Sequence, residues 1–240
     1  MIKNPNPATD FSFWDHLEEL RFRLIKIVLA VAFFSFFSYP FTDTLLSYLT
    51  QPIGKLFFTA LTEAFEVKIF LALWSGFFLS LPFVFYQVWE FIAMGLHPQE
   101  KKNIVILSFF SFGLFIIGAF FAYGFLIPFG VKFFLSFSSE SLVPLLTIKQ
   151  YLSFVGMLVL TGGMIFQLPL VILFLTKYGM VNPQFLSQKR REAVVIFLIL
   201  SAVITPQTDV ITQVLVFLPL MILYEISVFI SRGIVPDKEA

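Results

Sequence analysis

Two glutamates, Glu19 and Glu100, lie beside long apolar segments and are the side chains best suited to bind a cationic ligand. A carboxylate can accept two parallel hydrogen bonds from a guanidinium group, a geometry that a lysine ammonium cannot reproduce. Glu19 also has a structural interpretation, an ion pair with Arg23 four residues later. Glu100, two residues after Pro98, can stabilise the first turn of a helix through the helix dipole. The residues alone favour these structural roles.

Three other polar residues, Gln167, Asp209 and Glu225, lie within or between apolar segments. Polar residues at membrane depth are costly, about 2.5 to 3.5 kcal/mol for an ionisable group, which makes each a functional candidate. Asp209 is equally suited to cap the helix that follows it. Glu225 precedes Arg232 by only seven residues, which also fits a hydrated carboxylate at the interface. A secondary transporter with a polar pathway around Gln167 and Glu225 is the alternative function.

The composition indicates a membrane protein. The chain of 240 residues is 58% hydrophobic and 13% charged, with a mean hydropathy of +0.91, whereas a soluble domain has about 25% charged residues. A net charge of +1 excludes the basic excess expected of a nucleic-acid partner. With no cysteine, two separated histidines and no G-x-S-x-G or H-E-x-x-H motif, neither an enzyme nor a metal or other cofactor is expected.

The apolar segments predict an all-α fold with six transmembrane helices. The uncharged runs are 27–42, 69–89, 103–131, 150–176, 193–208 and 210–224. A helix needs about 20 apolar residues to cross a bilayer, so the last two spans are short. The segment 193–224 could instead form a re-entrant pair that does not cross. The polar turn Thr205 to Asp209 favours two true spans, because Pro206 ends one helix and Thr208 or Asp209 can cap the next.

The distribution of basic residues predicts the orientation. With six spans, 12 lysines and arginines lie on one side and 4 on the other. Basic residues near span ends are retained in the cytoplasm, so both termini are predicted to be cytoplasmic. We therefore expect one membrane domain over 1–240, with an amphipathic lead-in at 12–23, outer loops at 43–68 and 132–149, cytoplasmic loops at 93–102 and 177–192, and a cytoplasmic tail at 232–240.

Prolines and small residues indicate how the spans pack. Prolines occur within or near the ends of four spans, at Pro82, Pro128, Pro169 and Pro219. Each removes a backbone donor, which either only shapes local packing or bends the helices into a concave bundle. Pairs of small residues four apart, Gly76 with Ser80 and Gly118 with Ala122, predict close helix contacts.

Five segments resemble the TatC family, the polytopic core of the twin-arginine protein translocase. They are His16–Leu24, Leu81–Ile92, Tyr151–Phe154, Thr205 to Asp209, and Tyr224–Phe229. The resemblance covers residues 12 to 232 in the family's order. It implies a receptor in the cytoplasmic (inner) membrane that binds twin-arginine signal peptides. It also implies small single-span partners, TatB-like and TatA-like, a multi-copy complex within membrane lipid, and export of folded proteins driven by the proton-motive force.

The resemblance also assigns residues. It implies that Glu19 and Glu100 contact the twin arginines, with Arg21 and Phe91 in the same site, and so favours the ligand-binding interpretation. Pro52, Tyr123 and Pro128 match further family positions. Some members have glutamate where this chain has Gln167, which can bond to a partner helix but cannot carry a proton. Glu90 stands where relatives can have a small apolar residue, and the sequence gives no reason for it.

Overall fold

The computed structural model describes residues 13–51, 56–95, 103–139, 145–205 and 209–234. Within these segments the backbone is helical except for loops and short bridges, such as the one between Phe57 and Thr147. The α-helices are α1 Phe13–Ser38, α2 Thr42–Thr50, α3 Glu63–Ile92, α4 Ile104–Phe121, α5 Ile127–Leu135, α6 Ile148–Ile165, α7 Leu168–Lys177, α8 Pro183–Gln188, α9 Arg190–Ile204 and α10 Val210–Ile234. The predicted all-α fold is confirmed. Pro52, Glu100, Pro206 and Thr208 lie outside the described residues.

Five helical stretches are long and apolar enough to cross a membrane: Trp14–Thr50, Glu63–Ile92, Ile104–Leu135, Ile148–Lys177 and Val210–Gly233. They cover the first four predicted spans, apart from Asn103, and the sixth. The fifth predicted span corresponds to α9, which has 15 residues and is therefore about 22 Å long. The predicted outer loop 43–68 includes most of α2 and the first six residues of α3, and its place outside the membrane stays a prediction.

The chain divides into two compact units. The first comprises Met1–Ser47 and Lys68–Phe109, and the second comprises Tyr48–Val67 and Phe110–Ala240. In the first unit the described part of the amphipathic lead-in continues without a break into the first span as α1, which ends at Ser38. A methyl group added at Gly76 would lie 2.4 Å from the Ser35 backbone nitrogen. Only glycine allows α3 to approach α1 so closely, as the small-residue spacing predicts.

The second unit contains a matching contact between α4 and α6. A Cβ atom at Gly118 would lie 2.3 Å from the carbonyl oxygen of Gly162, and one at Gly162 would lie 2.7 Å from Cβ of Ala122. This confirms the contact that the Gly118 and Ala122 spacing predicts. The backbones meet there because glycine has no side chain to separate them.

Two of the four prolines coincide with irregular backbone. A π-helix, Ala122–Leu126, precedes α5, in which Pro128 occupies the first turn. The fourth predicted span divides at Phe166 and Gln167 into α6 and α7, with Pro169 in the first turn of α7. Pro82 and Pro219 lie inside α3 and α10, which continue through them. The concave bundle stays a prediction.

Several buried hydroxyl groups in the apolar helices are satisfied within their own helices. The buried hydroxyl groups of Ser35, Ser80, Ser108 and Ser201 each donate to a backbone carbonyl three or four residues earlier. Hydrocarbon offers no competing partner, so such bonds keep a small polar residue compatible with the bilayer. Many of the 35 phenylalanines face outward, including Phe36, which is 79% exposed. These rings provide a surface suited to lipid.

A buried carboxylate organises the segment before α6. Glu63, 4% exposed, accepts hydrogen bonds from the backbone nitrogens of Thr59 at 2.7 Å and Lys149 at 3.1 Å. Lys149 also forms an ion pair with Glu66 at 2.6 Å. Because a buried carboxylate must be hydrogen-bonded, Glu63 fixes the start of α3 against the start of α6.

Candidate functional site

Glu19 lies on α1 and is already bound to a guanidinium group of the protein. Its Oε1 atom is 2.6 Å from Nη2 of Arg23, one helical turn later. This confirms the pair that the spacing of four residues predicts. The Glu19 side chain is 35% exposed, whereas that of Arg23 is 8% exposed. The carboxylate is therefore partly open to a ligand, although its present partner is buried.

Arg23 has further partners on α3. Its Nη1 atom donates to Oε2 of Glu90 at 2.6 Å and to Oε1 of Gln87 at 3.1 Å. Gln87 and Glu90 are three residues apart, so one face of the helix presents both side chains. We call Glu19, Arg23, Gln87 and Glu90 the Arg23 cluster. Nothing in the sequence accounts for Glu90. In the structure its carboxylate is a counter-charge for the buried guanidinium group of Arg23.

The Arg23 cluster carries one net negative charge, because two carboxylates share one guanidinium. Its carboxylates are 35% and 37% exposed. A cluster with this charge attracts a second cation, and the attraction is stronger near an apolar surface than in bulk water. The arrangement is chemically suited to bind another guanidinium.

Two further predicted members of this site, Arg21 and Phe91, are close in sequence to Glu19 and Glu90. The ring of Phe91, next to Glu90, packs on the imidazole of His16 with centroids 4.3 Å apart. Arg21 is an exposed residue of α1. The structure thus places Glu19, Arg21 and Phe91 in the first compact unit. Glu100 lies outside the described residues, so its position beside Glu19 stays a prediction.

Gln167 lies at the break between α6 and α7 and has a partner within the protein. Its Nε2 atom donates to the backbone oxygen of Ser111 at 2.9 Å. Ser111 is itself 1% exposed. The amide of Gln167 therefore connects the break between α6 and α7 to α4, which is a structural role.

Asp209 is a helix cap. Its Oδ1 atom accepts a hydrogen bond from the backbone nitrogen of Thr212 at 2.8 Å, and the Thr212 hydroxyl also donates to the carboxylate. This is the usual role of an aspartate just before a helix. The capping alternative from the sequence is thereby confirmed.

Glu225 is paired rather than isolated in hydrocarbon. Its Oε2 atom is 2.7 Å from Nη2 of Arg190, and both side chains are about half exposed. Nearby, the pKa of Glu192 is lowered, first because the Lys189 ammonium donates a hydrogen bond to it. Since both Glu225 and Gln167 have partners, the structure adds no support to a transport pathway around them.

Tyr123 and Pro128 line an apolar groove in the second unit. The groove has a volume of about 580 Å³, and its remaining walls are Ile127, Val131, Lys132, Leu135, Ser136 and Tyr151. The hydroxyl group of Tyr151 donates to the carbonyl of Leu49 at 2.9 Å. Pro52 lies outside the described residues, and Pro82 is exposed within α3.

Sequence reasoning missed two members of the Arg23 cluster, Gln87 and Glu90. Their spacing was the available signal: polar side chains three residues apart at the end of an apolar run share one helix face. What the spacing could not identify was the partner, because Arg23 is 64 residues from Gln87 in the chain.

The apolar helices define the class as an all-helical multi-pass membrane protein, and the Arg23 cluster lies where its first long helix meets α3. Comparison with known proteins identifies the family. The family model described as "Sec-independent protein translocase protein (TatC)" matches residues 15–219. The chain therefore belongs to the TatC family. This is a family of protein translocase components, and the chain is a component of twin-arginine protein translocation.

Individual relatives agree over nearly the whole chain. A Sec-independent protein translocase protein TatC from Desulforapulum autotrophicum is 38% identical and covers 95% of this chain and 87% of its own length. The corresponding protein from Carboxydothermus hydrogenoformans is 36% identical, with 95% of both chains covered. A solved structure described as "Crystal Structure of Twin Arginine Translocase Receptor- TatC" superposes with a TM-score of 0.81 at 36% identity, covering 91% of this chain and 99% of that one.

Proposed function

We propose that this chain is the receptor of a twin-arginine translocase and binds twin-arginine signal peptides at its cytoplasmic face. Glu19 and Glu100 accept the guanidinium groups, and Arg21 and Phe91 border the site. Folded cargo then crosses the cytoplasmic membrane with energy from the proton-motive force. The solved structure similar to this chain is described as a receptor, which supports the proposal.

The observation that carries this proposal is the ion pair between Glu19 and Arg23. A partly exposed carboxylate binds a guanidinium at 2.6 Å in a cluster with one net negative charge. A ligand with two adjacent arginines offers the same chemical group twice. Specificity for arginine follows from the planar fork of donors, which lysine lacks.

Binding of two signal peptides to the purified chain in nanodiscs tests the proposal. The peptides differ only in having arginine or lysine at the two paired positions. We expect the twin-lysine peptide to bind at least about tenfold more weakly, because charge is kept but the bidentate geometry is lost. Equal affinities would contradict the proposal, and substrate flux through vesicles containing this chain alone would favour the secondary transporter.

We also propose six membrane spans with both termini in the cytoplasm. The five long stretches and α9 provide six helices, and α9 is joined to α10 by only a short segment. A helix about 22 Å long crosses if the bilayer thins locally. The excess of basic residues on the predicted cytoplasmic side supports this orientation.

Labelling of single cysteines tests this topology, since the chain has no cysteine of its own. Three exposed positions are suitable: Ser138→Cys after α5, Val210→Cys at the start of α10, and Gln188→Cys at the end of α8. In right-side-out vesicles, a membrane-impermeant maleimide is expected to label positions 138 and 210. Position 188 should react only after the vesicles are opened.

The variant at position 138 is the control for access from the outside. Labelling at 138 without labelling at 210 would contradict six spans and favour the re-entrant pair. Labelling at 188 in sealed vesicles would reverse the orientation.

The proposed partners are small single-span subunits, TatB-like and TatA-like, in a multi-copy complex. The helix break at Gln167 is a candidate contact, because an amide at membrane depth forms hydrogen bonds with polar groups of neighbouring helices. A photoreactive residue at position 167 should crosslink to such a subunit in membranes. The absence of any adduct would count against this contact.

A further inference from the structure

The Arg23 cluster includes a carboxylate, Glu90, that the receptor proposal does not use. Arg23 is 2.6 Å from Glu19 through Nη2 and 2.6 Å from Glu90 through Nη1. The carboxylate that would receive an arginine of the ligand thus already binds an arginine of the protein. Binding of the ligand at Glu19 therefore requires Arg23 to be retained by another group.

We propose that Glu90 is a positioning residue of the signal-peptide site, which retains Arg23 when Glu19 exchanges it for an arginine of the ligand. This inference rests on the proposed receptor function. Glu90 would then contribute to the affinity of the site for the signal peptide. Arg23 is 8% exposed, so its guanidinium group cannot simply move into water. Leaving a buried charge without a partner is strongly unfavourable, and Glu90 prevents this.

The charge of the cluster leads to the same role. With Glu90 present, Glu19, Arg23 and Glu90 sum to one negative charge, and an incoming guanidinium brings the sum to zero. Without Glu90, the pair of Glu19 and Arg23 is already neutral. A second guanidinium would then share one carboxylate with Arg23, and the two cations would repel each other.

Gln87 fixes the direction in which Arg23 is held. It is 5% exposed and accepts from the same Nη1 atom as Glu90, at 3.1 Å. The Nε atom of Arg23 is buried and finds no acceptor among the residues that the structure describes. The side chain is therefore held through its two terminal nitrogens, of which only Nη2 contacts Glu19.

The affinity of a twin-arginine peptide for four forms of the full chain in nanodiscs tests this proposal. They are the wild type, Glu90→Gln, Arg23→Gln, and the double variant. We expect Glu90→Gln to weaken binding by about tenfold or more, which corresponds to about 1.4 kcal/mol. Arg23→Gln should bind at least as tightly as the wild type, because it frees Glu19. The double variant should regain wild-type affinity, since the competing arginine is absent.

The double variant separates this role from a merely structural one. If Glu90 only maintained packing between α1 and α3, removing Arg23 as well would weaken binding further, which would overturn the proposal. Unchanged affinity in Glu90→Gln would also overturn it. Arg23→Met is a second variant that keeps the apolar stem of the side chain, and thermal unfolding of each variant verifies the fold.

Glu66→Gln is the matched control. Glu66 also lies on α3 and also forms an ion pair at 2.6 Å, with Lys149, so its replacement should leave peptide affinity unchanged. Failure of the receptor proposal is recognised separately: the wild type would not distinguish arginine from lysine, or Glu19→Gln would keep full affinity. The wild type could prefer the twin-arginine peptide and lose affinity in Glu19→Gln, while Glu90→Gln binds as tightly as the wild type. In that case only the proposed role of Glu90 is wrong.

Discussion

Glu19→Gln is expected to weaken binding of a twin-arginine peptide by about thirtyfold or more. A bound peptide covers the Glu19 carboxylate, and removing one partner of a buried hydrogen-bonded charge pair costs about 2 to 5 kcal/mol, where 1.4 kcal/mol corresponds to about tenfold. Glutamine keeps the shape of the side chain but loses the charge and one acceptor oxygen. Isothermal titration of the peptide into nanodiscs measures the change.

Glu18→Gln is the control for this prediction. It removes the same charge one residue earlier on α1, from a side chain that is exposed. A nonspecific electrostatic effect would weaken peptide binding equally in Glu18→Gln and Glu19→Gln. Added salt would then reduce both losses of affinity to the same extent. A specific contact at Glu19 leaves the affinity of Glu18→Gln close to that of the wild type. Equal losses in the two variants would contradict the assignment.

Gly118→Ala is expected to destabilise the fold by about 1 to 3 kcal/mol through overpacking. The new methyl group would lie 2.3 Å from the carbonyl oxygen and 2.9 Å from the carbonyl carbon of Gly162. These are backbone atoms of α6, so relief requires the helices to separate. Denaturant unfolding of the purified chain in detergent micelles measures the loss.

Gly113→Ala provides the comparison within the same helix. A Cβ atom at Gly113 meets nothing within 4 Å, so this variant changes only helix propensity, which gains up to about 1 kcal/mol. The two variants should therefore change stability in opposite directions. If Gly118→Ala were as stable as Gly113→Ala, the close contact between α4 and α6 would be wrong.

Much of the fold followed from the sequence because membrane helices have strong local signals. Uncharged runs of sufficient length predict spans, since each backbone polar group must be satisfied inside the helix. The spacing of Gly118 and Ala122 is also a local signal. Small residues four apart lie on one helix face and allow another helix to approach closely. Asp209 also behaved as its position before a helix predicts.

The composition of the Arg23 cluster could not be predicted in this way. Arg23 and Glu90 are 67 residues apart in the chain, and which face of α3 meets α1 depends on packing over the whole length of both helices. Local spacing accounted for Glu19 with Arg23 but left Glu90 without a role. The uncharged run 69–89 does not reach the start of α3 at Glu63, because splitting the sequence at charges excludes the helical turns that carry Glu63, Glu66 and Lys68. In the structure, the backbone nitrogens of Thr59 and Lys149 donate hydrogen bonds to the Glu63 carboxylate.

The most direct measurement is a thermodynamic cycle that combines Glu19→Gln with the exchange of both peptide arginines for lysines. If Glu19 binds a guanidinium, the wild type prefers the twin-arginine peptide and Glu19→Gln loses most of that preference, whereas Glu18→Gln keeps it. The coupling between the two changes then exceeds about 1 kcal/mol, well above the scatter of about 0.5 kcal/mol for independent sites. An undiminished preference for arginine in Glu19→Gln would contradict the central role of this carboxylate.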